Sequence, residues 1–270
     1  MRRGGVGLKL GIVLLGVPLL AALLGPMLAP VVGADAPPGT SPLLPPGDGF
    51  VLGTDVLGRD VLGLALRGGA SVVGLTLGAL ALAYAVGIPL GLTMAATRRR
   101  WVDTALLRIL DVVLVLPSLL LLLVLAATGR RGVGWLLLVG ALMSLPPIVR
   151  LVRSAASGPR RRAALETLTM LGEPWWRVRL VEAGRVIAGP VAVDAGVRLV
   201  LVLSLLTSAT FLGLGLEPTT IDWAVVIEQN QASLFLAPAA LLVPAGLLVS
   251  LCAGANLLVD HALGAREELP

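Results

Sequence analysis

Residues 69–96, GASVVGLTLGALALAYAVGIPLGLTMAA, contain no charged side chain between Arg67 and Arg98. An α-helix rises 1.5 Å per residue, so about 20 apolar residues cross the hydrocarbon of a bilayer. This run is longer than that, and its apolar residues occupy every face rather than a single stripe, the pattern of a helix with no aqueous side. Five further runs of the same kind lie at 8–32, 105–128, 133–152, 186–212 and 234–259. The whole chain agrees with them. It has 57% hydrophobic and only 14% charged residues, where soluble domains carry about 25% charged, and its mean hydropathy is +0.95. The expected fold is all-α, a polytopic membrane protein with six transmembrane helices.

Orientation follows from the arginines. With the N-terminus inside, Arg2, Arg3, Lys9, Arg98, Arg99, Arg100, Arg108 and the cluster from Arg150 to Arg185 share the cytoplasmic side, leaving Arg59, Arg67, Arg130 and Arg131 outside. Both termini are then cytoplasmic, and 153–185 is the longest cytoplasmic loop. The same topology accounts for a net charge of +5 without nucleic acid, because aromatic residues are only 3% and do not interleave with the arginines. The first run has a rival reading as a signal peptide, with Arg2-Arg3 before it and Gly33-Ala34-Asp35-Ala36 after it. Its length exceeds the roughly 7–15 residues of a signal's apolar region and favours an uncleaved span. The Pro/Gly-rich segment 36–49 has no helical or strand period and reads as an extracytoplasmic linker.

Composition also limits the chemistry. The chain has one histidine (His261), one cysteine (Cys252) and one lysine (Lys9), too few for a His/Cys metal site or a disulfide framework. Lys9 sits in Gly5-Val6-Gly7-Leu8-Lys9-Leu10, which does not fit a phosphate-cradling G-x-x-x-x-G-K-[ST] loop. Any ATP used is expected to be hydrolysed by a partner. A membrane enzyme would need clustered nucleophile, base or metal ligands, which these single residues cannot supply. Cys252 reads as packing within a span and His261 as a surface residue.

The motifs begin after the linker, at Gly53-Thr54-Asp55-Val56-Leu57-Gly58-Arg59-Asp60-Val61. Thr54 can N-cap a short helix whose positive end Asp55 favours. Val56, Leu57, Val61, Leu62 and Leu64 would let that helix lie in the membrane interface. This signature resembles one permease type of the ATP-binding-cassette importers for dipeptides, oligopeptides and nickel. The resemblance continues in order through Trp101-Val102-Asp103, Leu110-Asp111-Val112, Leu116-Pro117-Ser118, Val149-Arg150-Leu151-Val152-Arg153 and Phe211-Leu212-Gly213-Leu214-Gly215 with Pro218 and Trp223. It implies an N-terminal unit at 1–68 (span, linker and interfacial helix), a five-helix transport core at 69–260, and a tail at 261–270.

The resemblance further implies a coupling helix in the loop 153–185, where the family's Glu-Ala-Ala-x-x-x-Gly motif docks into the ATPase. The matching residues are Glu166, Thr167, Leu168 and Gly172. Thr167-Leu168 replaces the Ala-Ala pair, and Gly184-Arg185 stands where the family has Leu-Pro. Residues 163–171 are good helix formers, Gly172 permits a left-handed C-cap and Pro174 stops continuation. The implied partners are a sister permease, two ABC ATPase subunits, an extracytoplasmic substrate-binding protein and membrane lipid, in a bacterial inner membrane. No cofactor is expected on this chain, ATP and Mg being held by the ATPases. Peptide is the first expected substrate, with nickel or another small solute as the alternative.

Three ionisable residues within spans need an account: Asp111, Asp194 and Arg198. Asp194 and Arg198 are four apart on one helical face and can pair. They either line the translocation path or contact the sister permease, or they form a self-satisfying pair that orients the fifth span. Asp111 has only Arg108 within a turn and is expected to snorkel towards water. Pro89, Pro117 and Pro146-Pro147 each remove a backbone donor and can kink their spans. An ion-coupled secondary transporter would use Asp111 and Asp194 as relays, but the inverted repeat it predicts is not visible in the sequence. A non-transporting membrane scaffold is the remaining alternative.

Overall fold

A computed structural model of the chain describes residues 3–47, 49–97, 100–130, 132–158, 167, 170–172 and 183–267. Among these there is no strand, only an isolated antiparallel bridge between Thr54 and Asp60. The long helices are α1 (Arg3–Val31), α2 (Val61–Ala96), α3 (Arg100–Val115), α4 (Ser118–Ala127), α5 (Val133–Ala156), α6 (Ala183–Phe211) and, after the short α7 (Trp223–Asn230), α8 (Pro238–Glu267). Five of them are long and apolar enough to cross a bilayer. α3 and α4 pass the same test only as a pair, and they bend by 71° where they meet.

That bend departs from the continuous span expected at 105–128, and Pro117 explains it. Proline offers no N–H to the ladder and forces the preceding residue out of the helical region. Leu116 closes a tight turn onto the Val113 carbonyl (3.3 Å), and Leu121 begins the next ladder on the Pro117 carbonyl (3.1 Å). The pair nevertheless runs from one end of the bundle to the other. Beyond α4, the Gly132 N–H donates to the Gly215 carbonyl (3.2 Å), which follows the far end of α6.

The bundle thus has two ends. One carries the 53–60 loop, the far ends of α1, α4 and α6, and the starts of α2, α5 and α8; we term it the signature end. The other carries Arg150, Arg153 and Thr167 and is the arginine end. α2 and α5 pack along each other most extensively, with Ala79, Leu122, Leu136, Val139, Val202 and Leu206 in the largest buried cluster. α1 lies against α8 and α2, and its outward face (Leu20, Leu23, Met27) is exposed. Lipid tails are as apolar as leucine, so such helices associate by close packing and polar contacts rather than by hiding from the solvent. Gly254 shows the first: a Cβ there would lie 2.3 Å from the Leu15 nitrogen. Ser250 shows the second, its Oγ donating to the Leu14 carbonyl at 2.7 Å.

Two other expectations change at the signature end. Thr54 does not cap a helix. Residues 55–58 form a turn, and α2 begins at Val61, eight residues before the span expected at 69–96, with Asp60 as its N-cap. The N-cap moves because Thr54 is consumed by the linker, as described below. The second change is α7, an unforeseen helix between the fifth and sixth spans, N-capped by Asp222.

Candidate functional site

The signature residues converge into a buried knot. Gly53 and Gly58 adopt φ of +78° and +74°, and a Cβ would fall 2.4 Å from the Leu44 carbonyl oxygen at the first and 2.3 Å from that of Thr40 at the second. Only glycine fits both the conformation and the space. Thr54 is fully buried; its Oγ1 donates to the Ser41 carbonyl (3.0 Å) and accepts from the Leu44 N–H (2.8 Å). Asp55, also fully buried, accepts from the N–H groups of Leu57 (2.9 Å) and Arg59 (2.8 Å) through Oδ1 and from Arg59 Nε (2.8 Å) through Oδ2. Asp60 Oδ1 accepts from the Leu62 N–H at 2.8 Å and so caps α2.

The knot is anchored on α7. Arg59 Nη2 donates to Gln229 Oε1 (2.6 Å) and the Val56 N–H to Asn230 Oδ1 (3.1 Å). α7 is anchored on α2 in turn. Trp223 is fully buried, and its Nε1 donates to the Ala65 carbonyl at 2.8 Å. Asp222 Oδ1 accepts from the Ala224 N–H (2.8 Å), while its buried Oδ2 has no hydrogen-bond partner among the described residues. Burial pushes the Asp222 carboxyl above the usual carboxylate range, opposed by the nearby Ser71 hydroxyl and the N–H groups at the start of α7. At the knot's edge Arg67 grips Asp35 in a bidentate pair (2.5 and 2.9 Å), which holds the exposed Asp35 carboxyl below its ordinary value.

The intramembrane charges meet at the opposite half of the bundle. Asp194 and Arg198 do pair, Nε donating to Oδ2 at 2.7 Å. A third partner comes from α2: Tyr84 Oη donates to the same Oδ2 at 2.7 Å. Asp111 forms an ion pair with Arg150 of α5, and its side chain stays half exposed. Arg153, one turn further, holds Asp103 of α3 in a bidentate pair (2.8 and 2.5 Å). Asp111, Arg150, Arg153, Asp194 and Arg198 all line one open cleft of about 630 Å³ between α3, α5 and α6. Among the described residues no three His, Cys, Asp or Glu side chains group as metal ligands.

Of the expected coupling motif, Glu166 and Leu168 lie outside the described residues. Thr167 and Met170 are helical, the Leu171 N–H donates to the Thr167 carbonyl (3.0 Å), and Gly172 follows at φ +79°. Gly172 therefore stands in the left-handed conformation that ends helices. Met170 and Leu171 are 86% and 73% exposed.

Several partners escaped the sequence reading: Tyr84, Asp103, Arg150, Arg153, Asp222, Gln229 and Asn230. Two left a signal. Tyr84 is the chain's single tyrosine, and a hydroxyl inside an apolar run needs a partner. Asp222 before Trp223 has the form of an N-cap. The pairing of Asp111 with Arg150 is set by which faces of α3 and α5 meet, and no local spacing carries it.

Residues 87–260 match the family described as "Binding-protein-dependent transport system inner membrane component". Over 186 residues, 68% of this chain, the sequence is 26% identical to the glutathione transport system permease protein GsiD of Pectobacterium atrosepticum, covering 60% of that protein. Over 169 residues, 63% of this chain, it is 27% identical to the proteins of the same name from Shigella flexneri serotype 5b and Escherichia coli O157:H7, covering 55% of each. The matched part of the chain thus spans less than two thirds of these relatives' length. With a family match that takes in the cleft, the Thr167–Gly172 turn and α7 alike, the chain belongs to the inner membrane components of binding-protein-dependent transport systems.

Proposed function

We propose that this chain is one of two permeases in an ATP-binding-cassette importer for peptide-like solutes, with both termini and the arginine end in the cytoplasm. A sister permease, two ATPase subunits and an extracytoplasmic binding protein complete the assembly. The observation that carries the reading is the helical turn ending at Gly172. It presents Met170 and Leu171 outward at the arginine end, inside the family-matched region. Two large apolar side chains exposed on a short turn suit insertion into a partner's groove. Peptide is preferred over nickel because the GsiD relatives are named for glutathione, itself a tripeptide.

In this reading, ATP-driven closure of the ATPases moves the turn ending at Gly172, which lies in sequence between α5 and α6. Both helices wall the charged cleft, so their relative movement opens it to one side of the membrane at a time. This chain contributes positioning and a path, and no covalent step.

The test is to co-express the chain with its partners, recover the complex in mild detergent, and measure ATP-driven peptide uptake in proteoliposomes. Glu166→Lys is expected to abolish uptake and co-purification of the ATPase while leaving membrane insertion intact. A chain that purifies alone, with uptake driven by a proton gradient, would overturn the proposal.

A further inference from the structure

We propose that the cleft between α3, α5 and α6 is a binding site for a small zwitterion, in which Arg198 takes the solute's carboxylate and Asp194 its ammonium group. The proposal deepens the importer reading by assigning a substrate class to residues of this chain.

The argument begins with depth. At 1.5 Å per residue, Asp194 lies about 16 Å and Arg198 about 22 Å along α6 from Ala183, and Asp111 about 16 Å along α3 from Arg100. Asp103 and Arg153 are near the ends of their helices. The cleft therefore has an outer pair, Asp103–Arg153, and two inner pairs, Asp111–Arg150 and Asp194–Arg198. Charges at membrane depth that faced lipid would be costly, so such groups face water or protein. Asp111 and Arg150 keep 54% and 43% of their side chains exposed. A water-filled cleft satisfies that requirement.

The inner pair on α6 is not saturated. Tyr84 Oη and Arg198 Nε both reach Oδ2 of Asp194. Among the described residues neither Asp194 Oδ1 nor the Nη groups of Arg198 make a hydrogen bond, although both side chains line the cleft. The two are already oriented, Asp194 by Tyr84 and Arg198 by its own bond to Asp194, with their remaining polar atoms left over. A ligand bearing an ammonium and a carboxylate completes the arrangement as a square of alternating charge, each corner making a charge-assisted bond.

The lining chemistry selects against the alternative cargo. Among the described residues each guanidinium of the cleft already has a carboxylate partner, Arg150 with Asp111, Arg153 with Asp103 and Arg198 with Asp194. A bare divalent cation would have to compete with these guanidinium groups for every carboxylate, and the described lining offers it no imidazole or thiolate, the ligands nickel prefers. A zwitterion meets a partner for each end. The volume of about 630 Å³ falls within the range of roughly 300–1,000 Å³ that holds small ligands.

The test uses the full chain in lipid nanodiscs with three probes, dialanine, N-acetyl-dialanine and dialanine amide, with nickel ion as a fourth, and reads dissociation constants by saturation-transfer NMR and titration. The wild-type chain is expected to bind dialanine about tenfold tighter than either blocked form, the loss of one charge-assisted contact. Arg198→Gln is expected to lose only the preference over the amide, and Asp194→Asn only the preference over the acetylated form. Arg198→Lys, which keeps the charge, retains both preferences at reduced affinity and serves if the glutamine variant does not fold. A pair with only a structural role cannot produce this split. Equal loss of both preferences in each variant, no discrimination by the wild-type chain, or tighter binding of nickel than of dialanine would overturn the site. The importer reading fails separately. If the complex takes up no peptide while the chain still discriminates, that reading falls and the site stands; uptake of dialanine unchanged in KM by either variant removes the site and leaves the importer.

Discussion

The two ends of this bundle use the same residue types in opposite ways. At the signature end, Asp55 is fully buried and its carboxylate is spent on three donors from its own loop. At the arginine end, Asp111 is 54% exposed and shares one ion pair with a different helix. The first arrangement fixes a loop in one conformation, because every bond is local and the Asp55 carboxylate itself is sealed from solvent. The second holds charges in a cleft where water or a ligand can compete. A polar motif that is legible as a contiguous string can therefore be architecture, while the polar residues that face the cleft are scattered over three helices.

The largest expected effect breaks the comparison at its rigid end. Asp55→Ala removes the acceptor for two backbone N–H groups and for the Arg59 guanidinium, leaving these donors in a mostly buried turn. Losing a buried, charged acceptor of this kind costs about 3 kcal/mol or more. Thermal unfolding in detergent should show it as a lowered Tm, with protease cleavage appearing in the 36–60 segment. A variant as stable and as protease-resistant as the wild type would mean that the knot does not hold the linker.

The next prediction concerns protons at the same end, where two carboxyls respond in opposite directions. Burial raises the Asp222 carboxyl above its ordinary 3.8, so its ionised form is disfavoured in the folded chain. Its destabilising contribution is absent below that value and accumulates as the pH rises from about 4, levelling off above its folded pKa. Asp35 is held below the ordinary 3.8 by Arg67, so its contribution is present above that value and is lost as the pH falls through the lowered one. Asp222→Asn keeps the acceptor for the Ala224 N–H and should flatten the decline of Tm above pH 4; Asp35→Asn should weaken only the loss at acid pH. A wild type and an Asp222→Asn variant with parallel profiles above pH 4 would show that Asp222 is solvated there.

How much of this was open to a reader of the sequence depends on whether the cause is local. The six apolar runs can be read because helix-forming and lipid compatibility are properties of contiguous residues, and a glycine after the helix formers at 163–171 permits the left-handed cap that Gly172 adopts. The site was half legible. The Asp194–Arg198 pair follows from four-residue spacing, but Tyr84 enters from α2 and Arg150 from α5, contacts that depend on how the helices rotate about their axes. The misreading of Thr54 has the same origin. Its hydroxyl fits an N-cap, and what prevented that role is Ser41 and Leu44, thirteen and ten residues upstream. The Pro117 break was expected only as a possible kink; the 71° bend needed the packing of α4 on α5 and α6.

The smallest stability effect sharpens the contrast at the open end. Arg150→Gln removes the Asp111 ion pair, yet both side chains are about half exposed, so screening leaves no more than about 1 kcal/mol and the Tm should hardly move. Transport should respond differently. Without Arg150 the cleft loses one of its guanidinium groups, and Asp111 is left without its ion-pair partner. Uptake of an anionic peptide should then fall relative to that of a cationic one of equal length, measured in the same proteoliposomes. The result separates two meanings of an intramembrane ion pair. A pair that serves the fold would lower Tm and leave the selectivity ratio alone, whereas a pair that lines a path shifts the ratio while the fold is barely touched.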